Sequence, residues 1–134
     1  MSAPIAAWKE SNVLVTGAGG FVGAWLVRTL AGRAATVVAL LHDRQPVSGL
    51  EALGCERKAV VVHGSVTRAA LMDRLLHRYE IDTVFHLAAQ PIVGAANRSP
   101  VPTFEANIRG TWTVLEACRR CPTIRRLVVA SSDK

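Results

Sequence analysis

The sequence predicts an α/β fold built on a doubly wound parallel sheet, and three observations predict it. Five short runs rich in Val, Leu and Ile recur along the chain, these runs are nearly continuous rather than alternating with polar residues, and stretches of helical periodicity separate them. Continuous apolar strands are what a parallel sheet covered on both faces requires. Strand and helix in strict alternation connect through right-handed crossovers. The expected order of the five strands is 3-2-1-4-5, with a switch point between the first and fourth, and ligands of such sheets bind beyond the carboxyl ends of the strands there.

The first strand is expected at residues 12–16, an apolar run closed by Thr16. A helix follows over 21–30, with apolar residues three and four apart. The second strand covers 36–41. Ser48 with Glu51 reads as a capping box opening a short second helix, and Gly54 as its stop. The third strand is placed at 58–63, the next helix at 71–78 and the fourth strand at 83–87. Pro100 and Pro102 stand where a helix begins, ahead of a long helix at 103–118 that carries Phe104, Ile108, Thr111, Leu115 and Cys118 on one stripe. The fifth strand is expected at 126–130, and no repeat, linker or low-complexity tract interrupts the pattern.

A chain of 134 residues, 50% hydrophobic and 19% charged, is globular and fits one domain spanning 1–134. At this size about two-thirds of the unfolded surface is buried, so neither disulfides nor a structural metal are needed. Cys55, Cys118 and Cys121 cannot all pair internally and read as thiols in a reducing compartment. No apolar run reaches the roughly 18 residues that cross a bilayer. No basic residue precedes Lys9 and the start is too short for a signal-peptide core, so no membrane partner is expected and the cytoplasm is the expected location. The net charge of +6 comes from 16 basic residues, 13 of them Arg and scattered. Without an aromatic-interleaved patch or a helix-turn-helix signal, a solvated surface is favoured over nucleic-acid binding. Cys118 and Cys121 have the spacing of half a zinc site, but no second ligand pair exists, so no metal is expected.

The residues that carry chemistry begin at Thr16-Gly17-Ala18-Gly19-Gly20-Phe21-Val22-Gly23, directly after the first strand and opening the first helix. Glycines without Cβ permit a tight turn and let the backbone approach a pyrophosphate, while the helix start offers free N–H groups and partial positive charge. Twenty residues past Gly23, at the end of the second strand, stands Asp43. A carboxylate there can accept hydrogen bonds from both hydroxyls of an adenosine ribose, and it would repel a 2'-phosphate, so NAD is preferred to NADP. Arg44 beside it could stack on adenine or accommodate that phosphate.

With these motifs the whole chain resembles the extended short-chain dehydrogenase/reductase family of NAD-dependent epimerases and dehydratases, whose fold is Rossmann-like. Further matches are Asp82-Thr83-Val84-Phe85-His86-Leu87-Ala88-Ala89 at the fourth strand, Asn107-x-x-Gly110-Thr111 in the long helix, and Ser131-Ser132-Asp133-Lys134 after the fifth strand. Within the family, His86 to Pro91, Pro100 and the Ser-Asp-Lys ending look most like nucleotide-sugar 4,6-dehydratases of the CDP-glucose and GDP-mannose kind, with a 4-epimerase as the alternative. A non-catalytic dinucleotide-binding or sensing module is a further alternative.

The resemblance implies a cofactor set of Gly17, Gly20, Phe21, Val22, Gly23, Asp43, Arg44, Ser65, Val66, Leu87, Ala88, Ala89 and Asn107. Phe21 and Val22 would meet the pyrophosphate through their backbone, Leu87, Ala88 and Ala89 would line the nicotinamide side, and Asn107 would hold the backbone of the fourth strand. His86 is expected to pack under the sheet. The implied catalytic residues are Ser132, on the 4-hydroxyl of a nucleotide-sugar, with Asp133 and Lys134 as acid and base in removing water across C5 and C6.

Ser65 stands where the family often carries Asp to meet adenine, and Ala96 near where relatives often place a Ser. The family's Tyr-x-x-x-Lys pair has no match within the 134 residues, whose one tyrosine is Tyr79 with Thr83 four positions on. The chain is therefore expected to be the cofactor-binding part of such an enzyme, without turnover by itself, and truncated before a sixth strand. That leaves the fifth strand's outer edge open to homodimerisation.

Overall fold

The computed structural model describes residues 8–42 and 48–132. Five strands form one sheet: β1 (Asn12–Thr16), β2 (Thr36–Leu41), β3 (Val60–His63), β4 (Thr83–His86) and β5 (Arg126–Val129). The order is β3-β2-β1-β4-β5 as expected, and every neighbouring pair is parallel. In register, Thr16 lies beside Leu40 on one side and His86 on the other. All five strands therefore end at one rim.

Two cores flank the sheet, because successive residues of a strand face opposite ways. Val13, Val15, Val37, Ala39 and Leu41 point to one face, where α1 (Phe21–Leu30) and α2 (Gly49–Ala52) contribute Val27, Leu30 and Leu50. Leu14, Val38, Leu40 and Val84 point to the other, against Met72, Leu75 and Leu76 of α3 (Ala69–Arg78) and Val114, Ala117 and Cys118 of α6 (Gly110–Arg120). Burial on both faces explains why the central strands carry no solvent alternation.

Several boundaries differ from the sequence reading. Residues Glu56–Lys58 form a 3-10 turn, so β3 starts at Val60; three consecutive charged residues suit an exposed turn better than a strand. The capping box is present, with Ser48 Oγ accepting from the Glu51 amide and the Glu51 carboxylate accepting from the Ser48 amide, and Gly54 closes that segment at φ +61°. A short helix α4 (Val93–Arg98) that the periodicity does not reveal precedes α5 (Pro100–Phe104), where Pro100 does start the helix. The long helix is continuous from α5 into α6 through one π turn, Glu105–Arg109, in which the Gly110 amide reaches back to the Glu105 carbonyl. Among the described residues no helix is long and apolar enough to cross a membrane.

Candidate functional site

The site forms where β1 and β4 part at the strand-end rim. Gly17 takes φ +67°, and a Cβ there would lie 2.7 Å from the Ala88 nitrogen and the Leu87 carbonyl carbon. A Cβ at Gly23 would lie 2.1 Å from the Gly17 oxygen. These two positions thus let the turn close against the exit of β4 and let α1 sit on the turn. Gly20 caps α1 in an extended conformation without a side-chain acceptor, and the first turn holds no acid. Among the described residues, no side chain caps the backbone donors and positive dipole end of this helix. Phe21 and Val22 stand there 82% and 64% exposed. The Gly49 amide donates to the Gly19 carbonyl at 2.7 Å, tying α2 to the same turn.

Below the rim runs a chain of polar contacts. Thr16 Oγ1 lies 2.7 Å from His86 Nδ1 and accepts from the amides of Leu87 and Ala88, each at 3.2 Å. His86 Nε2 lies 3.2 Å from Thr111 Oγ1, which donates to the Asn107 carbonyl at 2.6 Å. Asn107 in turn accepts from the Gln90 amide at 2.7 Å and donates to the Gln90 carbonyl at 3.2 Å. Asn107 therefore holds the loop beyond β4 rather than the strand itself. His86 is buried as expected, 2% exposed, and burial lowers its pKa. Sequence reasoning missed that both its nitrogens are engaged; the available signal was a histidine and a threonine closing two strands with apolar interiors.

A cleft of about 480 Å³ opens above this chain. It is lined by His86, by Leu87, Ala88 and Ala89 beyond β4, by Asn107 and Thr111, and by the segment from Val129 to Ser132. The structure so brings together Leu87, Ala88, Ala89, Asn107 and Ser132, with Gly17 against the backbone of Leu87 and Ala88. Ser65, after β3, lies 2.8 Å from Thr67 through their hydroxyls and accepts from the Thr67 amide, so its side chain braces a turn. Val66 turns its side chain into the core, which leaves its backbone to meet a ligand. Asp43, Arg44, Asp133 and Lys134 lie outside the described residues. No group of three metal-ligating side chains occurs among the described residues. Cys118 is buried, and burial together with Cys121 pushes its thiol up to about 11, the opposite of a reactive thiolate.

The model of the NAD dependent epimerase/dehydratase family matches residues 13–134. CDP-glucose 4,6-dehydratase of Salmonella typhimurium is 30% identical over 95% of the chain and 36% of its own length. UDP-glucose 4-epimerase of Thermotoga maritima, crystallised with UDP-glucose, superposes with a TM-score of 0.79 at 29% identity, over 90% of this chain and 38% of that one. UDP-glucose 4-epimerase of Stenotrophomonas maltophila, with bound NAD and formylated UDP-arabinopyranose, gives 0.79 at 30% identity over 92% and 38%. The chain thus spans little more than a third of the length of these relatives.

Proposed function

This chain belongs to the NAD-dependent epimerase/dehydratase family, and from that premise we propose that residues 1–134 form the dinucleotide-binding part of a nucleotide-sugar 4,6-dehydratase that works with NAD. The observation that carries the reading is the Gly17 turn, shut against Leu87 and Ala88 beside a helix start with no acid and no side-chain cap. Cβ-free backbone and bare amides suit a pyrophosphate. The backbones of Phe21 and Val22 would hold the diphosphate, Asp43 the ribose hydroxyls with Arg44 near adenine, and Ser65 with the Val66 backbone the adenine edge. Leu87, Ala88 and Ala89 would lie along the nicotinamide, which, when bound, supplies the store for a hydride taken from sugar C4 and returned to C6. Ser132 would hydrogen-bond the 4-hydroxyl, Lys134 take the proton from C5 once C4 is a ketone, and Asp133 protonate the hydroxyl leaving C6.

The similarity to solved UDP-glucose 4-epimerases favours a second reading, in which C4 is inverted and no water leaves. The two differ in product mass: the chain extended through a Tyr-x-x-x-Lys pair yields a product lighter by one water in the first case and an isomer in the second. The same proposal takes the whole protein as a cytoplasmic homodimer.

Calorimetric titration tests the cofactor assignment. NAD is expected to bind more tightly than NADP. Asp43→Ala is expected to cost about 1.5–3 kcal/mol, the range for hydrogen bonds to a charged group, or roughly 10- to 150-fold in affinity. A folded chain that binds neither dinucleotide removes the reading.

A further inference from the structure

The polar chain under the cleft admits one arrangement of protons. A carbonyl only accepts, so the single proton of Thr111 Oγ1 points to the Asn107 oxygen at 2.6 Å. Towards His86 Nε2, at 3.2 Å, Thr111 can then only accept, and Nε2 carries the ring proton. With the ring neutral, Nδ1 is bare and receives the proton of Thr16 Oγ1 across 2.7 Å. Both lone pairs of that oxygen are then filled by the Leu87 and Ala88 amides. No buried side-chain nitrogen or oxygen among the described residues is left without a partner.

A charged ring breaks this closure. Its second N–H would meet a Thr16 oxygen whose two lone pairs are already taken, so one of the two amides must let go: Leu87, which keeps the Thr16 carbonyl as a second acceptor at 3.3 Å, or Ala88, for which Thr16 Oγ1 is the bond that holds it to β1. Burial disfavours the charged ring in the same direction. The ring's bonded partners are the hydroxyls of β1 and α6, and neither carries charge. The charged residues of the adjoining π turn, Glu105 and Arg109, pair with each other at 3.0 Å on its exposed side.

The amides that Thr16 holds belong to the same backbone that Gly17 abuts. The spacing between the glycine turn and the exit of β4, whose Leu87 and Ala88 line the cleft, is thus held by the backbone bond from the Leu87 amide to the Thr16 carbonyl at 3.3 Å and by a hydroxyl that the imidazole orients. At the far end of the loop, Asn107 grips Gln90 through both its amide and its carbonyl, and the Asn107 carbonyl is where Thr111 anchors. We propose that His86 is a positioning residue for the dinucleotide: as the neutral Nε2–H tautomer it couples the clamp on Leu87 and Ala88 to the clamp on Gln90, holding the β4 exit at the spacing that cofactor binding needs. The proposal rests on the cofactor reading above.

Two measurements test it. Long-range proton–nitrogen correlation on the histidine-labelled chain reads the ring state directly and needs no ligand; the Nε2–H tautomer is expected at pH 7.5. The second is titration of NAD into the wild type, Thr111→Val and Thr111→Ser, with thermal stability recorded for each. Thr111→Val removes the acceptor for Nε2–H and is expected to weaken NAD about tenfold, the equivalent of about one hydrogen bond, and to mix the ring tautomers; Thr111→Ser is expected to restore both. A charged or Nδ1–H ring in the wild type overturns the proposal whether or not any variant folds. So does a Thr111→Val chain that loses stability yet binds NAD as the wild type does, because the relay would then serve the fold alone. A wild type with the expected tautomer that does not bind NAD overturns the cofactor reading, and the role of His86 with it.

Discussion

At Gly17 two costs of adding a single methyl group coincide. The positive φ disfavours any Cβ, by about 1–2 kcal/mol, and the added carbon would overlap the Leu87–Ala88 backbone, where overpacking costs about 1–3 kcal/mol more. Gly17→Ala is expected to lower the free energy of unfolding by about 2–5 kcal/mol, measured by urea denaturation. His86 gives a different signature. Its pKa is lowered in the folded chain, so below the ordinary value near 6.5 the unfolded chain binds more protons, and stability falls as pH drops. The urea midpoint is expected to be flat above about pH 7 for this component and lower at pH 5.5, and the His86→Gln chain is expected to lose that slope. The role of Gly17 was legible in the sequence, because a chain that passes from a buried strand into a helix within a few residues must turn sharply, and glycine permits that turn. The partnership of Thr16, His86 and Thr111 was not legible, since the contacts join positions 70 and 25 residues apart and only the sheet register and the helix docking bring them together.

The pairing of α3 with α6 separates two kinds of element contact. Their apolar faces meet through Met72, Leu75 and Leu76 on one side and Val114, Ala117 and Cys118 on the other, while Arg120 spans to Asp73 at 2.9 Å on the half-exposed margin. Leu76→Ala is expected to cost about 2–5 kcal/mol and Asp73→Asn less than about 1 kcal/mol, both read from urea midpoints. Helices with a clear apolar stripe, such as α1 and α3, were legible almost to the residue. Helix α4 was not, because Val93–Arg98 has no apolar periodicity and no buried side chain. The π turn was equally invisible: spacings on either side fit an α-helix, and the wider turn shows only in the bond from the Gly110 amide to the Glu105 carbonyl. π turns of this kind recur at functional sites.

For the molecule as a whole, the parallel sheet followed from the alternation of elements and from apolar runs buried on both faces, and the order of its strands from the usual doubly wound arrangement. Among the described residues β5 pairs on one side only, and Val128 and Val129 are 48% and 38% exposed. An open apolar edge invites pairing with another chain. Sedimentation velocity is expected to show concentration-dependent association that Val128→Lys suppresses; a monomer at every concentration would count against it. Parallel strands also divide the molecule's surface by use. Lys9 and Glu80 are exposed at the ends where β1 and β4 begin, and Asp82 there fastens the start of β1 through the Asn12 amide at 2.8 Å. The cleft lies a strand's length away, roughly 15 Å at about 3.3 Å per residue. A dye or a surface linker attached at either position would leave the cleft pointing into solution, so the chain can be immobilised and its ligands measured without the anchor competing for the same face.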